Sequence, residues 1–190
     1  MRLRKVLIAL MLLSVWGGSM IFADAAVQKV RVIVNGSELD DTGVLEDNKT
    51  YLPLRQIANT LQALIAWDEN TKKVTVYKPN VHMFLFKASD KEVTFGNVDK
   101  NNRVSFMVFA QIDNLLTSVS AVKVSIFDPY GSEKVIQQQS VNVTKDNFWF
   151  RTSDFKYFFD SAGKYSVRFY MKVNDNDEWR QVSEKMITAQ

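Results

Sequence analysis

Apolar positions recur with two different periods along this chain, and the change of period divides it. Between Thr50 and Trp67, Leu54, Ile57, Ala58 and Leu61 fall at i, i+3, i+4 and i+7, so they share one face of a short amphipathic helix. Pro53 suits the first helical position, where its fixed φ fits the turn and its missing N–H would have had no intrahelical partner; the helix is expected to start there. Extended segments flank it, Lys29 to Val34 before and Leu64 to Tyr77 after, and together they predict a small sheet for the apolar face to cover. In the first, Val30, Val32 and Val34 alternate with Arg31 and Ile33, and Asn35-Gly36 is a strong two-residue hairpin signal with Ser37 to Leu39 returning. In the second, Leu64 to Trp67 and Lys73 to Tyr77 flank the turn-like Asp68 to Lys72, which reads as another hairpin.

From Val81 onward the period becomes two, and no helical pattern returns. Val104, Phe106, Val108, Ala110 and Ile112 line one face of a run from Arg103 to Asp113, and Val122, Val124 and Ile126 line the next. Asp128-Pro129-Tyr130-Gly131 is a turn, followed by strands from about Lys134 to Val143 and from Phe148 to Thr152. After Ala162-Gly163, Tyr165, Val167, Phe169, Met171 and Val173 face inward, and Asn174 to Asp177 turn the chain into a last strand, Glu178 to Ile187. This number of strands with turn signals between them fits an immunoglobulin-like β-sandwich. The fold expected is therefore mainly β, with a small α+β module over 27–78 and a sandwich over 81–190.

The first 25 residues come out of that reading. Arg2, Arg4 and Lys5 form a basic head, Val6 to Val15 is almost wholly apolar, and Ala23-Asp24-Ala25 places small residues where a signal peptidase requires them. A signal peptide over 1–25, cleaved after Ala25, is expected, because the apolar run is short for a membrane span of about 20 residues. This implies a secreted or cell-wall-associated protein with no integral span after cleavage. The chain has no cysteine, so neither a disulfide nor a lipid-modified cysteine is available, and burial alone must hold the fold. Removing Arg2, Arg4, Lys5 and Asp24 from 24 basic and 21 acidic residues leaves 21 and 20, a net charge of +1. Nothing in that balance suits a nucleic-acid partner, which calls for a concentrated positive excess.

Once these elements are placed, a resemblance becomes specific. Val34-Asn35-Gly36, Thr50-Tyr51-Leu52-Pro53-Leu54-Arg55, Ile57-Ala58, Leu61, Ala63, Trp67-Asp68, Thr71-Lys72 and Val74-Thr75-Val76 follow in an order and spacing that resembles the copper amine oxidase N-terminal-like stalk domain, over Val27 to Lys78. Gln62 stands where that family usually has glycine just after the helix, which requires a left-handed or otherwise adapted helix end at a cost of about 1 kcal/mol. The resemblance implies a secreted or surface module of a non-catalytic kind, since the oxidase chemistry of such proteins belongs to a separate and larger domain. The Ala-Gly-Lys-Tyr lead at 162–165 resembles that of bacterial immunoglobulin-like domains, although no cysteine pair and no middle-strand tryptophan accompany it.

No catalytic residue, metal ligand or cofactor is expected. His82 is the only histidine, too few imidazoles for a copper site and without a nucleophile elbow for a triad. Asn174 to Glu178 is acidic but reads as a solvated hairpin turn rather than a calcium loop. Arg55, on the first turn of the helix, is a candidate partner for Asp68. The aromatic clusters Phe148-Trp149-Phe150 and Tyr157-Phe158-Phe159, with Trp179, are the surface candidates, because consecutive strand residues point to opposite faces and cannot all enter one core. Trp149 and Trp179 are the binding residues proposed from sequence. The function expected is that of an exported, non-enzymatic binding or structural module meeting a protein or glycan of the wall or surface. The alternative is a carbohydrate-binding or carbohydrate-active protein that uses exposed aromatics.

Overall fold

The computed structural model describes residues 28–144 and 146–190. The expected signal peptide and its cleavage site lie outside the described residues. The chain divides into two compact units, one ending at Pro53 and one beginning at Leu54. This division by packing differs from the division by sequence pattern at 78–81.

In the first unit, β1 (Gln28–Val30), β4 (Gly43–Glu46) and β5 (Lys49–Tyr51) form an antiparallel sheet in that order, and β2 (Ile33–Val34) pairs with β3 (Ser37–Glu38) as a separate hairpin. The continuous alternation expected from Val30 to Val34 is therefore broken after Val30, which pairs with Gly43, whereas Ile33 pairs with Glu38. Both hairpins turn on consecutive left-handed residues, Asn35 and Gly36 at φ 51° and 80°, Asp47 and Asn48 at φ 47° and 59°. Two such residues in succession are the requirement of a type I′ loop, and Asn, Asp and Gly accept that conformation most readily. Arg31 donates to both carboxylate oxygens of Glu38 at 2.7 and 2.6 Å, and this holds the Glu38 carboxyl below its usual range.

The second unit opens with α1 (Leu54–Thr60), one residue after the expected start at Pro53. Its end is a Schellman cap: the Ala63 N–H donates to the Ala58 carbonyl at 2.8 Å and the Gln62 N–H to the Asn59 carbonyl at 3.0 Å. Gln62 takes φ 57°, the left-handed conformation that the missing glycine imposes. Ala58 and Ala63 are buried beside each other in sequence terms of the motif, while Leu54 and Leu61 are each 45% exposed, so the helix stripe is only partly covered. The hairpin of β6 (Leu64–Asp68) and β7 (Lys73–Tyr77) follows as expected. Asp68 organises its turn by accepting from the Asn70 and Thr71 amides and the Thr71 hydroxyl. Leu64, fully buried, and Tyr77 join the core of the sandwich, and this draws the helix and its hairpin into the second unit.

The sandwich has two sheets. One contains β8 (Asn80–Lys87), β9 (Asp90–Thr94), β11 (Asn102–Asp113), β14 (Phe148–Arg151) and β15 (Phe155–Phe159); its order is β14-β11-β8-β9, with β15 also on β11. The other runs β10 (Asn97–Val98), β17 (Arg180–Ala189), β16 (Gly163–Lys172), β12 (Val119–Phe127), β13 (Glu133–Val143), with β10 parallel to β17 and the other pairs antiparallel. The chain thus alternates between sheets in the manner of an immunoglobulin-like sandwich. The alternation read from sequence gives the core: Phe106, Val108, Ala110, Ile112, Val122, Val124, Ile126, Tyr165, Val167, Phe169 and Met171 are all completely buried.

An aromatic cluster closes one end of this core. Phe159 stands edge-on to Tyr165 at 4.9 Å and to Tyr157 at 5.0 Å, and Phe106 edge-on to Phe155 at 5.9 Å. Burial, reinforced by Tyr165, Asp128 and Asp160, pushes the Tyr157 phenol up to about 12. The Tyr165 hydroxyl accepts from the Ser161 amide at 3.1 Å and donates to the Ser161 carbonyl at 3.0 Å, which is the tyrosine corner of immunoglobulin-like folds at the start of the penultimate strand. Gly163, between them, takes φ 136° with Pro129 packed at 3.0 Å from where a Cβ would stand, so no side chain fits there. At the far side, β13 is the end strand of its sheet, and its register against β12 slips twice, between Val119 and Ala121 and between Val124 and Ser125.

Candidate functional site

The strand β14 separates its three aromatics as the period of two demands. Phe150 is buried and packs on Phe169 at 5.6 Å, Phe148 is half-buried, and Trp149 is 74% exposed. The register sets Trp149 directly opposite Gln111 on β11. Phe109, one pleat along on the same face, lies 6.3 Å from the indole at a tilt of 54° and props it from the side. Gln111, Asp113, Asn147, Phe148 and Trp149 line a broad cleft of about 640 Å³. Within it the Gln111 amide nitrogen donates to one Asp113 oxygen at 3.0 Å, and the Asn147 side-chain oxygen accepts the Asn114 N–H at 3.0 Å. Among the described residues, the Gln111 side-chain oxygen, the second Asp113 oxygen and the Asn147 side-chain NH₂ have no partner.

Trp179 stands in different surroundings. It precedes β17 on the outer face of the other sheet and is half-buried, with the Lys172 ammonium 4.9 Å and the Lys123 ammonium 5.5 Å from its ring. Lys123 also sits 4.6 Å over Tyr170 and donates to Glu133 at 2.8 Å. The fully buried Ser125 donates to the same Glu133 oxygen at 2.7 Å. These hydrogen bonds hold the Glu133 carboxyl below its usual range, and burial raises the Tyr170 phenol. Farther along, Arg168 pairs with Glu184 at 2.9 Å and covers Phe127 at 4.3 Å. Trp179 is thus part of a continuous ladder of rings and charges that bridges strands.

A second cleft, of about 350 Å³, lies where the helix and its hairpin meet the β16–β17 turn, with Arg55, Trp67, Asp177, Glu178 and Arg180 in its wall. The expected pairing of Arg55 with Asp68 is not formed, because Asp68 is committed to its own turn. Arg180 instead ties the region together, donating to Asn59 at 3.1 Å and pairing with Glu178 at 3.0 Å. Asn174 and Asp177 close a hairpin turn on each other: the Asp177 carboxylate accepts from the Asn174 backbone at 2.9 Å and from its side chain at 3.1 Å. His82 is exposed on β8 opposite Gln111. Among the described residues no group of His, Cys, Asp or Glu is gathered to hold a metal, and no helix is long and apolar enough to cross a membrane.

Sequence reasoning missed the Lys123 and Glu133 rungs and the grouping of Gln111, Asp113 and Asn147 around Trp149. The strand alternation placed Gln111 and Trp149 on outward faces, but only the pairing of β11 with β14 makes them neighbours.

No curated protein matches the chain. Among solved structures it is similar to the CARDB domain of a Pyrococcus furiosus protein, crystallised in complex with di-metal ions. That likeness has 13% identity, covers 60% of this chain and 97% of that one, and has a TM-score of 0.34, too low to bear on fold or function. Residues 33–126 match the Copper amine oxidase N-terminal domain, a stretch that runs beyond Lys78 through β11 and into β12. Over 33–126 the chain is thus similar to the copper amine oxidase N-terminal domain, and from Asn80 onward its strands form an immunoglobulin-like β-sandwich whose first strands lie inside that matched stretch.

Proposed function

We propose that this protein is an exported, non-enzymatic component of a bacterial cell envelope or surface, with a stalk module over 27–78 and a sandwich over 81–190, one of which binds a wall or surface component. The observation that carries the reading is Trp149: a large indole left 74% exposed in the middle of a strand whose next residue, Phe150, is buried. Exposed tryptophans bordered by polar groups are enriched among residues that carry binding energy. Trp179 is the second proposed contact, reachable only where its two lysines leave the ring uncovered. The basic head, apolar run and small-residue site before Ala26 support export, and the matched N-terminal domain supports a non-catalytic role.

Fractionating the expressing cell tests the reading. The chain is expected in the envelope or medium with a mature N-terminus at Ala26, and Trp149→Ala is expected to weaken its retention on isolated cell walls. Recovery of the uncleaved chain in the cytosol alone would refute export. Of the protein and glycan partners considered, the polar groups around Trp149 favour a glycan.

A further inference from the structure

We propose that the cleft at the junction of β11 and β14 is a saccharide site that takes a neutral, gluco-configured hexopyranose chain, with one ring stacked on the Trp149 indole and its hydroxyls bound by Gln111, Asp113 and Asn147. The proposal rests on Trp149 being the binding contact of the function proposed above. A gluco-configured pyranose presents axial C–H groups on its faces and equatorial hydroxyls around its edge. It therefore needs an exposed aromatic plane bordered by both donors and acceptors.

The cleft supplies that combination. The indole is open, and Phe109 at 6.3 Å limits its movement. Around it the second Asp113 oxygen and the Gln111 side-chain oxygen accept, and the Asn147 NH₂ donates. Their other atoms are engaged in the two 3.0 Å hydrogen bonds, which fix the groups in place before any ligand arrives. The cleft, about 640 Å³, is open to solvent along one side, which suits a ligand laid along the surface rather than one enclosed. Charge narrows the class further. Among the described residues the lining includes one carboxylate and no lysine or arginine, which disfavours phosphate- and uronate-bearing polymers and suits an uncharged one.

Isothermal titration of the full chain with cellohexaose and with the hexamer of N-acetylglucosamine, and with polygalacturonate as the anionic polymer, tests the assignment. A neutral hexamer is expected to bind, Trp149→Ala to weaken it by about tenfold or more, and Trp149→Phe to keep most of the affinity. Phe158→Ala, on an exposed ring of the neighbouring strand, is expected to leave binding unchanged, and circular dichroism establishes that each variant is folded. Failure of the folded chain to bind either neutral hexamer, equal binding by Trp149→Ala, or preference for polygalacturonate would overturn the proposal. If in that case Trp149→Ala still weakens retention on cell walls, only the ligand class falls. If retention is also unchanged, the binding role of Trp149 falls with it.

Discussion

Two tryptophans on the outer faces of one sandwich have opposite fates. Trp149 projects from β14 beside uncharged amides and is 74% exposed, whereas Trp179 is half-buried with two ammonium groups against its ring. Neither faces the core, so strand period does not distinguish them. Their neighbours do: an aromatic ring beside lysines is drawn into the protein's own cation–π contacts, and one beside amides is left for something else to cover. Of these two rings, the one with ammonium groups against it is the half-buried one.

The contrast is broken most severely at Phe150, adjacent to Trp149 but inward-facing. Phe150→Ala is expected to cost about 3–5 kcal/mol in urea unfolding, while Trp149→Ala changes stability by no more than about 0.5 kcal/mol. Comparable losses for both would mean that the β14 alternation does not separate core from surface. Next in size is Lys123→Met. This change removes the ammonium from Glu133, Tyr170 and Trp179 together and is expected to destabilise by about 2 kcal/mol, the Lys123 side chain being only 12% exposed. Trp179→Ala should cost about 1 kcal/mol in the same assay, a measurable effect where Trp149→Ala has almost none.

The smallest effect is on pH dependence. Hydrogen bonds from Lys123 and Ser125 lower the folded-state pKa of Glu133, so the stability it contributes is present above the ordinary glutamate value of about 4.3 and is lost as pH falls through the lowered one. Thermal melts taken from neutral into acid solution should show a shallower decline for Glu133→Gln than for the parent.

The sequence made the sandwich core legible because the apolar alternation from Phe106 to Ile112, Val122 to Ile126 and Tyr165 to Met171 matches the completely buried set, although Met107, Ser125 and Ser166 are buried between those positions. Gln62 was legible for a different reason: a helix end that lacks glycine must still turn left-handed, and φ 57° is the result. The division after Pro53 was not legible, since it depends on Leu64 and Tyr77 reaching a core assembled from strands far along the chain. The strand β15 was hidden in the same way; Tyr157-Phe158-Phe159 reads as an aromatic cluster until its pairing with Arg103 and its neighbours on β11 defines it. Trp149 was chosen on alternation alone, and that suffices for its exposure. The amides and carboxylate around it come from β11 and from the residue before β14, so only the folded chain brings them together.

The twice-slipped register of β13 governs how this protein behaves when packed densely beside its own copies. An end strand offers a row of unpaired amides and carbonyls to any passing chain, and a straight one would invite cross-β stacking. Each slip interrupts the ladder and bends the strand locally, which works against a straight template even where the run Gln137-Gln138-Gln139 and the exposed Val135 would favour stacking. A crowded layer of these molecules can thus stay a collection of separate folds instead of ripening into fibre.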